Sequence, residues 1–134
     1  MKRTLAFVLV ILLLAANMSA FARTSLYIGS HSAGVSPQGG GVVKVSVFVA
    51  GTHPRMTKIG FPMVSLYELN GSTWTLVAVQ TSQYNPNATA GSHSYSFTYQ
   101  GTAGKSYYAS ASFYAQDTTG SDTKNASSPT VTAT

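Results

Sequence analysis

Hydrophobic and polar positions alternate with a period of two along much of this chain, the pattern of strands with one face buried. It is cleanest in Lys105–Gln116, where Tyr107, Ala109, Ala111, Phe113 and Ala115 share one face and Ser106, Tyr108, Ser110, Ser112, Tyr114 and Gln116 the other. In Gly41–Ala50, Val43, Val45, Val47 and Val49 form a β-branched face, which specifies a core-facing register. Ser92–Gln100 aligns His93, Tyr95, Phe97 and Tyr99 against a Ser/Thr face. Met63–Leu69 and Thr73–Thr81 flank Asn70-Gly71-Ser72, a hairpin signal because Asn and Gly tolerate positive φ. Val64 and Leu66 are expected to face the core, and Trp74 to lie at the core or its rim. The pattern leaves open which face of Thr73–Thr81 points inward.

The remaining elements are weaker. Leu26, Tyr27 and Ile28 form a short apolar patch read as an edge strand, followed by a Ser/Gly-rich loop ending at Gly39-Gly40-Gly41. A final strand is expected over Thr123–Ala133, with Pro129 marking an edge or bulge. Between the second and third strands, Pro54 and the i, i+3 pair Met56 and Ile59 predict one short helical turn. About seven short strands with regular turn signals imply an all-β fold. The expectation is a two-sheet antiparallel sandwich of immunoglobulin or fibronectin type III shape.

The first 22 residues read differently. Lys2 and Arg3, the apolar run Leu5–Ala16 and Ala20-Phe21-Ala22 have the layout of a cleaved signal peptide, giving one domain over residues 23–134. The expected product is secreted, without stable membrane insertion after cleavage, and either free or associated with a cell wall. The chain has no cysteine, which removes disulfides, thiolate nucleophiles and thiolate metal ligands together. Residues 23–134 carry six basic and three acidic side chains, scattered rather than striped, which points away from nucleic acid.

Gly104-Lys105-Ser106-Tyr107 followed by Ala109, Ala111 and Phe113 resembles the sixth-strand region of fibronectin type III domains, where a turn precedes a corner tyrosine. A second resemblance spans most of residues 23–134. It runs through Gly51-Thr52, Met56, Ile59-Gly60, Leu66-Tyr67-Glu68, Gly71, Trp74, Tyr99-Gln100-Gly101-Thr102, Tyr107-Tyr108-Ala109 and Gly120-Ser121-Asp122-Thr123. In these the chain resembles short secreted single-domain proteins of clostridia and related Firmicutes that carry a domain of unknown function. Thr57 and Lys124 stand where many members have an acidic residue and an arginine. The resemblance implies secretion from a Gram-positive bacterium and a sandwich fold, and it transfers no catalytic residue.

Few groups could carry covalent chemistry. The carboxylates are Glu68, Asp117 and Asp122, with no pair placed as glycoside hydrolysis requires. Asp117 and Asp122 are weak candidates for Ca²⁺, which takes 6–8 oxygens, and both sit in a turn-forming sequence. His31, His53 and His93 match no zinc spacing, and no nucleophile-elbow sequence occurs. No cofactor is expected, and the chain reads as a non-enzyme, with a hydrolase of unrecognised site as the minor alternative. Tyr67, Tyr84, Tyr108 and Tyr114 are the candidate binding residues, amphipathic rings separated by small hydroxyl side chains and able to contact a glycan or an extracellular protein. The alternative is a structural or self-assembling protein using edges near Leu26–Ile28 and Pro129–Ala133. Oligomeric state is not legible from the pattern.

Overall fold

The computed structural model describes residues 25–134. The expected leader, its cleavage site and Arg23 lie outside the described residues. Eight strands follow in order: β1 (Ile28–Gly39), β2 (Val42–Gly51), β3 (Lys58–Asn70), β4 (Thr73–Tyr84), β5 (Ser92–Gln100), β6 (Ser106–Gln116), β7 (Ser121–Ser127) and β8 (Val131–Thr132). They form two antiparallel sheets. One has the order β1-β2-β5; the other has the order β4-β3-β6-β7, with β8 continuing the pairing along β6 beyond β7.

The two most regular sequence patterns meet at the centre. Val43, Val45, Val47 and Val49 of β2 are buried, as are Tyr107, Ala109, Ala111, Phe113 and Ala115 of β6. Small alanines on β6 leave room for the valines opposite, while Phe113 packs edge-on against Phe61 of β3 at 5.9 Å. Ile59, Phe61, Val64 and Leu66 of β3 complete this layer. Their burial parity changes between Gly60 and Met63, where a register shift inserts one extra residue into β3.

The segment between β2 and β3 differs from expectation: among the described residues there is no helix, and 52–57 is a run of bends and irregular backbone. Met56 N–H donates to the Ala90 carbonyl and Thr57 N–H to the Gln116 carbonyl. These donors therefore go to neighbouring elements, not to a carbonyl one helical turn back. Met56 and Ile59 still close this end of the core, each 1% exposed.

The Ser/Gly-rich stretch read as a loop is strand β1. It pairs with β2 over nearly its whole length, and Ile28 and Val35 are its buried core residues. Its weak intrinsic β preference is overridden by pairing with β2, and Pro37 is tolerated because β1 is a sheet edge. The apolar patch expected to form the first strand divides: Leu26 is 75% exposed before the strand begins, Tyr27 packs partly buried against the core, and Ile28 is buried in it.

Candidate functional site

Tyr107 anchors the hairpin ends behind the site. Its hydroxyl accepts the Thr102 N–H at 2.9 Å and donates to Glu68 Oε2 at 2.5 Å. Lys105 Nζ donates to Glu68 Oε1 at 3.1 Å and to Asn70 Oδ1 at 2.6 Å, tying the β3–β4 turn to the start of β6. The phenol hydrogen bond, assisted by Lys105, holds the Glu68 carboxyl below its ordinary value against the opposing effect of burial. Burial and the Glu68 carboxylate raise the Tyr107 phenol. Glu68 is thus a buried, fully engaged structural carboxylate.

The outer face of the β4-β3-β6-β7 sheet is unlike that anchor. Cross-strand register builds it in rows: Leu76, Tyr67 and Tyr108; then Val79, Ser65 and Ser110; then Thr81, Met63 and Ser112; then Tyr84, Gly60 and Tyr114. Tyr67 and Tyr108 stack with centroids 4.9 Å apart and planes 12° apart, and Trp74 meets Tyr108 edge-on at 4.7 Å. Six residues along β6 from Tyr108, or roughly 20 Å at strand rise, Tyr114 meets Tyr84 at 6.1 Å in an edge-to-face pair. The Lys58 ammonium lies 4.2 Å above the Tyr84 ring.

The four sequence-selected tyrosines therefore share one face but form two separate pairs. Tyr84, expected in a loop, is the last residue of β4. Trp74, expected at the core or its rim, is 36% exposed and stands on this outer face, outside the buried core. The structure adds Met63, Leu76 and Val79, all more than 40% exposed, to the same surface. Leu76 extends the Tyr67–Tyr108 row, and Val79 and Met63 set apolar side chains among the hydroxyls of Ser65, Ser110, Thr81 and Ser112 in the rows between the two tyrosine pairs. The Asn-Gly hairpin held a usable signal for Trp74, because pairing Asn70 with Thr73 sets Leu69 opposite Trp74, on the face of Tyr67. The same parity places Leu76 beside Trp74 and Met63 on the face of Tyr67, whereas Val79 carried no such signal because the register shift beside Val77 moves it to this face.

The two candidate metal carboxylates serve the backbone. Asp117 Oδ1 accepts from Thr119 N–H, Thr119 Oγ1 and Gly120 N–H, closing the β6–β7 turn. These bonds, Thr119 foremost, lower its carboxyl. Its second oxygen lies 3.7 Å from His53 Nε2. Asp122 Oδ1 accepts the Thr123 N–H. Among the described residues no three His, Asp or Glu side chains converge as metal ligands. His31 and His93 flank Val49 in register on the inner face of the other sheet, packing against Phe113 at 4.8 Å and Phe61 at 5.6 Å respectively.

No family model matches the chain, and neither a curated protein nor a solved structure is similar to it.

Proposed function

We propose that this chain is a secreted, non-enzymatic recognition module that binds an extracellular protein through the outer face of the β4-β3-β6-β7 sheet. The observation that carries this reading is the continuity of Trp74, Tyr67 and Tyr108 with exposed Leu76, Val79 and Met63. A contiguous apolar and aromatic patch of this kind, rimmed by polar side chains, marks an interaction surface. Aromatic anchors of limited rotamer freedom supply large contact area at low entropic cost. A glycan is the weaker partner, because Tyr67 and Tyr108 already stack on each other and offer fewer free ring faces for sugars.

The same proposal assigns the sandwich to the fibronectin type III-like group and to the small secreted Firmicutes proteins it resembles. The split of strands into β1-β2-β5 and β4-β3-β6-β7 supports the first assignment. So does Tyr107, at the start of the sixth strand, bonding to backbone five residues upstream.

An array of extracellular proteins and glycans, probed with the chain and with Trp74→Ala and Tyr108→Ala, tests the function. The expected result is a protein ligand lost by at least ten-fold in both variants. Equal binding by the variants, or binding confined to glycans, overturns it.

A further inference from the structure

The sandwich is closed on one side and open on the other. On the closed side β1 packs across β6, β7 and β8. On the open side β4 and β5 are the two sheet edges, and they barely touch. Tyr95, Phe97 and Tyr99 point inward from β5 yet are only half-buried, as are Val77 and Ala78 of β4. Tyr95 donates to Gln80 Oε1 at 3.3 Å across this seam. The corresponding inward residues of β2 and β6, at the centre of each sheet, are fully covered.

Natural sheet edges are ordinarily protected by charge, proline or irregularity. β1 has Pro37 and two register shifts, and β7 has Asp122 and Lys124. β4 and β5 contain no Asp, Glu, Lys, Arg or Pro in their 12 and 9 residues. β4 is irregular at the register shift beside Val77 and at Ser82, which holds a positive φ, and between these points Thr73–Leu76 and Ala78–Thr81 are two extended segments.

We infer that the β4–β5 side is the interface of a two-fold homodimer, with β4 of one copy running antiparallel to β4 of a second copy of this chain. An isologous contact matches each outward N–H of β4 to a carbonyl of the same strand in its mate. The uncharged edges bring no like charges together. Antiparallel alignment also places the two Lys58 ammoniums, which lie at the Tyr84 end, at opposite ends of the contact. Thr73–Thr81 is about 30 Å long, and two sheets about 10 Å apart with their side chains are about 20 Å deep. That side buries on the order of 1,200 Å² in total, the lower bound for a stable specific interface. Pairing would cover the aromatic seam and join two outer faces into one continuous surface. This inference does not rest on the proposed function, since a dimer forms whether or not the outer face has a ligand.

Sedimentation velocity of the purified chain from about 1 to 300 μM tests it, alongside Leu76→Lys, Ser94→Lys and Ser30→Lys. Leu76 and Ser94 are exposed positions on β4 and β5, and Ser30 lies on β1, on the closed side. Circular dichroism confirms the fold of each variant. The expected result is a concentration-dependent dimer weakened at least ten-fold by Leu76→Lys or by Ser94→Lys and unchanged by Ser30→Lys. A wild-type monomer throughout the range overturns the inference. So does a dimer that resists both β4 and β5 lysines, or one that only Ser30→Lys disrupts.

Discussion

Tyr84 and Tyr114 belong to strands that are not neighbours, yet their rings meet at 6.1 Å. Gly60 of β3 lies between them in register with both. A Cβ built there would collide with the Gln83 carbonyl and with Tyr84, and the residue holds φ +159°. The missing side chain is the gap through which the two rings touch. Lys58, two residues away on the same face, caps the pair.

Gly60→Ala is therefore expected to destabilise the fold by about 1–3 kcal/mol through overpacking and to separate the two rings. Urea unfolding measures the first effect. The second is read as lost Tyr84–Tyr114 ring contacts in the nuclear Overhauser spectrum. Lys58→Ala should be milder, about 0.5–1 kcal/mol for an exposed cation–π contact.

The outer-face aromatics should separate binding from stability. Trp74→Ala is expected to lose about 0.5–1.5 kcal/mol from its ring pair with Tyr108 together with its partial burial, and so less than a fully buried aromatic loses. Phe113→Ala, fully buried in the same sheet, should lose about 3–5 kcal/mol. Chemical denaturation of both variants makes the comparison. Equal losses would place Trp74 in the core in solution.

Glu68 and Tyr107 should behave as one unit. Tyr107→Phe leaves the Thr102 N–H and a buried carboxylate oxygen short of a partner, at about 1–3 kcal/mol. Glu68→Gln removes a charge-assisted bond of about 1.5–3 kcal/mol. In the double variant the losses should fall short of additivity by more than about 0.5 kcal/mol. A denaturation double-mutant cycle reports that coupling.

Stability should have a defined pH window. Burial lowers His93 below its ordinary 6.5, so the unfolded chain takes up the proton first and stability declines as pH falls below about 6.5. Glu68 is lowered from 4.5, so its contribution is complete above that value and is lost as pH falls through the lowered one. Tyr107 is raised from 10.0, so its contribution is complete below about 10 and is lost as pH rises through the raised value. Thermal melts across pH should show both shoulders on the acid side. His93→Gln should remove the one nearer neutrality while leaving the lower one.

Much of the fold was legible because burial and period-two alternation coincide. The valines of β2 and the odd positions of β6 announce their faces, and the Asn70-Gly71 turn announces the β3–β4 hairpin. β1 was not legible, because Ser and Gly give a strand no intrinsic preference and it forms only by pairing with β2. The helical turn expected at Pro54 failed for a related reason: Met56 and Thr57 find their hydrogen-bond partners at Ala90 and Gln116.

The candidate site shows the same division. Sequence alone fixed that Tyr108 and Tyr114 lie on the polar face of β6, because strand periodicity leaves no other choice once Phe113 and the alanines are buried. It could not decide that Tyr67 and Trp74 gather on Tyr108 while Tyr84 crosses over Gly60 to Tyr114. Those meetings depend on register between strands up to 54 residues apart, set by the β3 and β4 irregularities. Nor could it show that the β4–β5 side stays open, because edge and seam exist only once the two sheets have packed.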